Sequence, residues 1–180
     1  MKTSFFKVKT REQVWGEFQR FPLLETEEVP LAQALNRVLA EPIVSKEDLP
    51  PFIRSTVDGY AVRAQDTFGA SESLPSLLEI VGEVEMGEIP SLELNNGKAV
   101  RIPTGGMLPA GADSVVMVEY TEELDRKSVA VSRSVAPLEN VIQPGDDFGA
   151  GQVALQAGRR LRAQEIGLLA GLGQERITVR

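Results

Sequence analysis

Apolar residues recur at helical spacing near the start of the chain. Thr10 precedes the first such segment, and Gln13 follows three residues later, which is the pattern of a capping box. The spacing predicts a helix that begins after Thr10 and ends before Pro22. Because amphipathic helices usually bury their apolar side, we expect Trp15 and the two phenylalanines that follow it at this spacing to belong to the core.

Both ends of the chain have a mixed pattern. Apolar side chains after Pro30 recur on one helical face until Pro42 interrupts the pattern, and a second such run follows Gly158. The elements predicted here are strands at residues 27–29, 43–45, 152–155 and 175–180 and helices at residues 30–40 and 163–172. Together they predict a small α/β subdomain made from residues 1–46 and 139–180.

In the middle of the chain the apolar residues alternate with polar ones. This period of two is typical of half-buried strands, and Asn95-Asn96-Gly97 forms a turn signal between two of them. The predicted strands begin at residue 77 and continue at 98–102, 114–120, 128–135 and 140–142. The fold class predicted is α+β, with a mostly β subdomain over residues 47–138 inserted into the α/β subdomain.

Composition narrows the classes of function. With 42% hydrophobic residues the chain can form a core, and a formal net charge of -7 opposes non-specific attraction to nucleic acid or to an anionic membrane. The absence of cysteine and histidine excludes disulfides, the usual zinc sites and Ser-His or Cys-His nucleophiles. Any metal would need oxygen ligands, which favours Mg²⁺. No apolar run approaches the roughly 20 residues that cross a bilayer, and a cytoplasmic location is expected.

The segment PPFIRSTVDGYAVRAQDT, at residues 50–67, carries the first group of candidate site residues. Its two prolines predict an extended backbone, and the Asp58-Gly59 pair predicts a tight turn with positive φ before a strand at residues 60–62. Such a turn would bring Asp58, Ser55, Thr56 and the N–H groups around Gly59 together. A plain hairpin turn is the alternative, because Asp-Gly between apolar residues commonly forms one.

The segment VRIPTGGMLPAGADSVVMVE, at residues 100–119, carries the second group. Thr104, Gly105 and Gly106 follow a predicted strand and lie close in sequence to Arg101. Backbone N–H groups, a hydroxyl and a guanidinium can together bind an oxyanion. A simple glycine turn is the alternative.

Several acidic residues are candidates for a cation site. Asp58, on its turn, could hold Mg²⁺ through water or orient a hydroxyl group. Glu119, at the end of a predicted strand, could join it, whereas Asp113 is expected to cap the backbone or form an Asx turn. Asp146 and Asp147 could form a cation site or a solvated turn.

Taken together, the two segments resemble the signature motifs of the molybdopterin molybdotransferase family, which includes MoeA and the E domains of gephyrin and its plant counterpart. The first motif, Ser-x-x-Asp-Gly-Tyr-Ala-Val, corresponds to residues 55–62, and Arg-Ile-x-Thr-Gly corresponds to residues 101–105. NVIQPGDDFGAG, at residues 140–151, is a weaker echo of a third motif. The chain has Gly-Gly-Met where the family more often has Gly-Ala-Pro, and Gln143-Pro144 where many relatives carry a basic residue.

The resemblance implies insertion of molybdate into adenylylated molybdopterin, with release of AMP in a Mg²⁺-dependent step. It also implies a homodimer whose active cleft lies between the catalytic domain of one subunit and the N-terminal domains of the other. By position in the motifs, the catalytic residues would be Asp58 and Thr104, with Asp58 also a metal ligand. The implied substrate contacts are Ser55, Thr56, Gly59, Arg101 and Gly105.

The resemblance covers only part of such an enzyme. The pterin-binding catalytic domain of the family would begin about where these 180 residues end. We therefore expect the chain to be the N-terminal region, inactive when isolated. The alternative is a non-catalytic interaction or assembly module of the gephyrin type, which would tolerate Asp58→Asn.

Overall fold

The computed structural model describes residues 8–180. In chain order its elements are α1 (Arg11–Phe18), β1 (Glu27–Pro30), β2 (Ile43–Val44), β3 (Arg54–Ser55), β4 (Gly59–Val62), β5 (Ser76–Glu83), β6 (Lys98–Ile102), β7 (Ser114–Met117), β8 (Thr121–Asp125), β9 (Ser128–Val131), β10 (Val141–Ile142), β11 (Val153–Leu155), α2 (Ala163–Gly171) and β12 (Arg176–Val179). The predicted α+β class is confirmed. Neither helix in this range is long and apolar enough to cross a membrane.

The chain divides into two compact units. Unit 1 contains the chain up to Ile43 together with Val153–Arg180, and unit 2 is Val44–Gln152. The corresponding boundaries predicted from the sequence lie after residues 46 and 138. The second boundary falls later in the structure because β10 pairs with β3, which keeps the residues after 138 in unit 2.

Unit 1 is built around the antiparallel pair of β1 and β12. Its buried apolar side chains are Val29, Ala34, Leu39, Leu161, Leu169, Ile177 and Val179. The predicted helix over residues 30–40 is wrong: a 3-10 turn at Leu31–Gln33 is followed by Asn36 in the left-handed region, at φ 67°. Beyond this point the N–H of Leu39 donates to the carbonyl of Arg159 at 2.9 Å, so tertiary hydrogen bonds replace helical ones.

Helix α1 confirms one prediction and contradicts another. The reciprocal hydrogen bonds of the Thr10–Gln13 capping box are both present. However, Trp15, Phe18 and Phe21 are 68%, 63% and 73% exposed, so their assignment to the core is wrong for the residues that the structure describes. The three rings lie near one another, with centroids 6.3 and 6.4 Å apart along the series. The helical spacing of apolar residues therefore predicted the helix correctly but not the exposure of its aromatic side chains.

Unit 2 contains a six-stranded sheet in the order β7-β4-β6-β5-β9-β8. The β5–β6 pair is parallel and the other neighbours are antiparallel. Alternate residues of β4 pack into two different clusters of buried apolar side chains. Tyr60 and Val62 lie in one cluster, and Ala61, between them, lies in the other. The strand predicted at 98–102 is confirmed as β6, whereas the strand predicted at 114–120 ends at Met117 and continues as a 3-10 turn.

Candidate functional site

Gly59 opens β4 at a point of close backbone approach. A Cβ atom built on this residue would lie 1.9 Å from the carbonyl oxygen of Val116 in β7. The predicted positive φ at Gly59 is wrong, because this residue is not among the glycines with positive φ. Glycine is required here by contact with the neighbouring strand, and Asp58 is consequently placed directly at the end of the sheet.

Asp58 and Thr104 lie side by side although 46 residues separate them. The β4–β6 register pairs Gly59 with Ile102, so the residues just beyond this pair converge. Asp58 Oδ1 accepts two hydrogen bonds from Thr104, from the backbone N–H at 2.7 Å and from the hydroxyl at 2.9 Å. These bonds, the backbone one first, lower the pKa of Asp58. At neutral pH this exposed side chain is therefore a carboxylate with a fixed orientation.

Glu123 of β8 joins two residues of the central strands. Its carboxylate accepts from Arg101 at 2.9 Å (Nε to Oε1) and 2.7 Å (Nη2 to Oε2), and it also accepts from the hydroxyl of Tyr60. The bonds from Arg101 and then from Tyr60 lower the pKa of Glu123 to about 2. Burial, followed by the hydrogen bond to Glu123, raises the pKa of Tyr60 to about 12. At neutral pH Glu123 is ionised and Tyr60 is protonated.

A shallow depression of about 250 Å³ connects these groups. Its lining residues are Asp58, Gly59, Tyr60, Glu83, Arg101, Ile102, Pro103, Val118 and Glu123. The lining thus contains three carboxylates, those of Asp58, Glu83 and Glu123, and one guanidinium, that of Arg101, which is already paired with Glu123. Since the lining is net negative, a bare anion would be repelled, and the depression favours a cation or an anion that carries one.

The predicted oxyanion loop is not preformed. The N–H of Thr104 donates to Asp58, that of Gly105 to the carbonyl of Ser55 at 2.8 Å, and that of Gly106 to the carbonyl of Pro103 at 2.9 Å. Because each of these donors is taken up inside the chain, the loop positions Thr104 instead of presenting a row of free amides. Gly105 adopts φ 84°, which suits glycine at this turn.

The two hydroxyl residues before Asp58 have different environments. Ser55 is buried, and its Oγ donates to the carbonyl of Val57 at 2.6 Å, so this hydroxyl shapes the turn. Thr56 is exposed, and its N–H donates to the carbonyl of Asn140 at 3.0 Å. The roles proposed for both residues as substrate contacts stay predictions. Of the predicted site residues, the depression gathers Asp58, Gly59 and Arg101, and Thr104 is bonded to Asp58.

Two other acidic candidates lie apart from this arrangement. Asp113 accepts hydrogen bonds from the N–H of Ala64 at 2.7 Å and the hydroxyl of Ser114 at 3.0 Å, which agrees with the predicted capping role. Glu119 is exposed in the 3-10 turn after β7 and does not line the depression. Among the acidic candidates named from the sequence, Asp58 is therefore the one that lines the depression and is bonded to Thr104.

The acidic pair after Gly145 forms a turn. Asp146 accepts from the N–H of Gln143 at 2.7 Å, and Asp147 lies 3.9 Å from Arg54. Among residues 8–180, no three side chains of histidine, cysteine, aspartate or glutamate are arranged to hold a metal ion. Asp58 can consequently contribute one oxygen ligand to a cation, and the remaining ligands would have to come from elsewhere.

Sequence reasoning missed Glu123 because it missed β8. The strand reads Thr-Glu-Glu-Leu-Asp and is largely exposed, so it lacks the apolar alternation that indicates a strand. A signal was present at Asp-Arg-Lys, residues 125–127, where the strand ends and the N–H of Lys127 donates to Asp125 at 2.7 Å. A short polar turn before the apolar strand β9 is typical of a hairpin with a charged edge strand.

Comparison with known proteins identifies the family. Residues 8–173 match the family described as MoeA N-terminal region (domain I and II). A protein of Methanocaldococcus jannaschii named for molybdopterin biosynthesis is 41% identical over 155 residues, 86% of this chain and 37% of that protein. The molybdopterin molybdenumtransferase of Bacillus subtilis is 39% identical over 158 residues, again 86% of this chain and 37% of that protein.

A solved structure extends the comparison to the fold. The crystal structure of a molybdopterin biosynthesis moeA protein from Pyrococcus horikoshii OT3 superposes with a TM-score of 0.83 at 42% identity, over 87% of this chain and 41% of that one. The chain thus spans a little over a third of the length of the curated relatives that it matches. The chain belongs to the MoeA family, within which it corresponds to the N-terminal region formed by domains I and II.

Proposed function

We propose that the chain is the N-terminal part of a molybdopterin molybdenumtransferase, which inserts molybdate into adenylylated molybdopterin and releases AMP during molybdenum cofactor biosynthesis. The observation that carries this proposal is the Asp58–Thr104 pair. These residues come from two different motifs of the family, and both bonds between them end on one carboxylate oxygen. A carboxylate held this way is oriented before any ligand arrives.

The residues of the site support a cation-dependent reaction. Within residues 8–180, Asp58 Oδ2 has no hydrogen-bond partner, and it is the atom that could ligate Mg²⁺. Bound Mg²⁺ would supply charge neutralisation for the phosphate groups of the substrate. Thr104 holds the other oxygen and so keeps Oδ2 available. The described residues do not offer a complete set of ligands, so the substrate, water or another part of the protein would provide the others.

The proposal extends to the assembly in which the site operates. The family resemblance implies a homodimer in which Asp58 and Thr104 complete a cleft on the catalytic domain of the other subunit, and we place this homodimer in the cytoplasm. The shallow, open form of the depression supports a half-site that needs a second surface. On this proposal the 180-residue chain alone does not turn over.

A chimera tests the proposed function. Residues 8–173 would replace the matching segment of the Bacillus subtilis relative, and molybdate-dependent AMP release from adenylylated molybdopterin would be measured. We expect AMP release by the chimera and none by the 180-residue chain alone. Turnover by the isolated chain, or a chimera with a native circular dichroism spectrum and no AMP release, would contradict the proposal.

A further inference from the structure

The six-stranded sheet is curled so that distant strands meet. β7 and β8 are its two edges, yet they are consecutive in the chain, joined by the 3-10 turn Val118–Tyr120. In a flat sheet at about 4.8 Å per strand, β8 and β4 would be about 19 Å apart. Glu123 of β8 nevertheless bonds to Tyr60 of β4 and to Arg101 of β6. This carboxylate therefore links one edge of the sheet to its centre.

The three side chains project from the same side of the sheet. Tyr60 and Arg101 are direct partners in the β4–β6 register, and residues opposite each other share a face. Glu123 is paired with Val129, which is buried in the same core cluster as Tyr60. The ion pair and the tyrosine hydrogen bond consequently lie at the margin of this cluster, where they hold β8 against β4 and β6.

The same two strands lead directly to the candidate site. Asp58 precedes Tyr60 by two residues, and Thr104 follows Arg101 by three. The last pair of the β4–β6 ladder is Gly59 with Ile102, so Asp58 and Thr104 lie just outside it. Ends of ladders open more readily than their centres. The hydrogen bonds from Tyr60 and Arg101 to Glu123 lie next to this end of the β4–β6 ladder, where they would limit its opening.

We propose that Glu123 is a positioning residue for the Asp58–Thr104 pair, acting through Tyr60 and Arg101. This inference deepens the proposed function, because it concerns the same site. Glu123 itself forms no bond to Asp58 or Thr104 in residues 8–180; it fixes the strand ends from which they extend. Loss of its charge would leave the sheet folded and the pair loosened.

Nuclear magnetic resonance of the 180-residue chain tests this proposal with Glu123→Gln. The matched control is Glu122→Gln, an exposed glutamate on the same strand whose side chain alternates to the other face. At neutral pH we expect hydrogen exchange of the Thr104 amide to accelerate about tenfold relative to that of the buried Val100, with an upfield move of the Thr104 amide proton. Glu122→Gln should change neither quantity.

Two results would overturn the proposal. One is an unchanged Thr104 amide in folded Glu123→Gln; the other is equal acceleration at Thr104 and Val100, which would indicate a general loss of stability. Should Glu123→Gln fail to fold, Tyr60→Phe removes only the hydroxyl, and about threefold faster exchange at Thr104 is expected. Wild-type exchange in folded Tyr60→Phe would equally overturn the proposal. The measurement needs no turnover, so its outcome is independent of the chimera's activity.

Discussion

Asp58 is held through its backbone by Val118, whose N–H donates to the carbonyl of Asp58 at 3.0 Å. The side chain of Asp58 is held separately by Thr104. Because β4 is flanked by both β6 and β7, contacts from two neighbours fix this one residue. An acid fixed in this way needs little reorganisation when a charged ligand binds, which is the arrangement that favours electrostatic catalysis.

Thr104→Val should raise the pKa of Asp58 while leaving it below the ordinary value of 3.8, since the stronger cause, the backbone hydrogen bond, remains. The pKa of Asp58 is lowered by folding, so its stabilising contribution is present above the unfolded-state pKa and is lost as the pH falls through the folded-state value. A carboxyl carbon titration by nuclear magnetic resonance measures this change. An unaltered Asp58 pKa in the variant would show that the hydroxyl bond is not formed in solution.

One of the two tyrosines should ionise with a pKa of about 12, because burial and Glu123 oppose the phenolate of Tyr60. The folded-state pKa lies above the ordinary value of 10.0, so the resulting stability is present below pH 10 and is lost as the pH rises toward 12. Phenolate absorbance in wild type and Tyr60→Phe measures the effect. If the difference between the two titrations had its midpoint near 10, the tyrosine would be exposed in solution.

Gly59→Ala should destabilise the chain by about 3 kcal/mol or more, because the added Cβ would overlap the carbonyl of Val116. Gly167→Ala is the control, since Gly167 lies within α2 with nothing within 4 Å of an added Cβ. That substitution should stabilise by about 0.5–1 kcal/mol. Urea unfolding of both variants gives the free energies. Equal stability of the two variants would mean that β4 and β7 are not paired as described.

Trp15 should fluoresce as a solvent-exposed indole, because 68% of the residue is accessible. It is the sole tryptophan of the sequence, so emission reports on α1 alone. We expect red-shifted emission, ready quenching by acrylamide, and a cost of less than about 0.5 kcal/mol for Trp15→Ala. Emission that is blue-shifted and protected in the monomeric chain would instead indicate that α1 packs against the body of unit 1.

The sequence predicted best what depends on neighbouring residues. The capping box of Thr10 with Gln13 and the period-two run that became β6 are local patterns, and the structure confirms both. The helix predicted after Pro30 is wrong because Asn36 takes a left-handed conformation and the backbone bonds to residues far along the chain. Tertiary hydrogen bonds overrode the helical spacing there.

The candidate site could be predicted only in part, because its contacts also depend on residues distant in sequence. Asp58 and Thr104 were identified by their motifs, and their direct bond required the β4–β6 register, which spacing alone does not give. Glu123 belongs to neither motif, and its bonds to Tyr60 and Arg101 form only because the sheet curls and brings an edge strand over the centre. The predicted oxyanion loop is not preformed, because two of its N–H groups donate to residues distant in sequence, Asp58 and Ser55, and the third donates to the carbonyl of Pro103.

The most direct test of the central claim is the rate of AMP release by the chimera with Asp58→Asn. Asparagine keeps an oxygen that can accept from Thr104 but removes the negative charge. Asp125→Asn is the matched control, because within residues 8–180 the side chain of Asp125 accepts only from the N–H of Lys127, a bond that an amide oxygen can also form. We predict a loss of about 100-fold or more for Asp58→Asn and a rate within about twofold of wild type for the control. A fully active Asp58→Asn chimera would contradict the account and favour a non-catalytic interaction module.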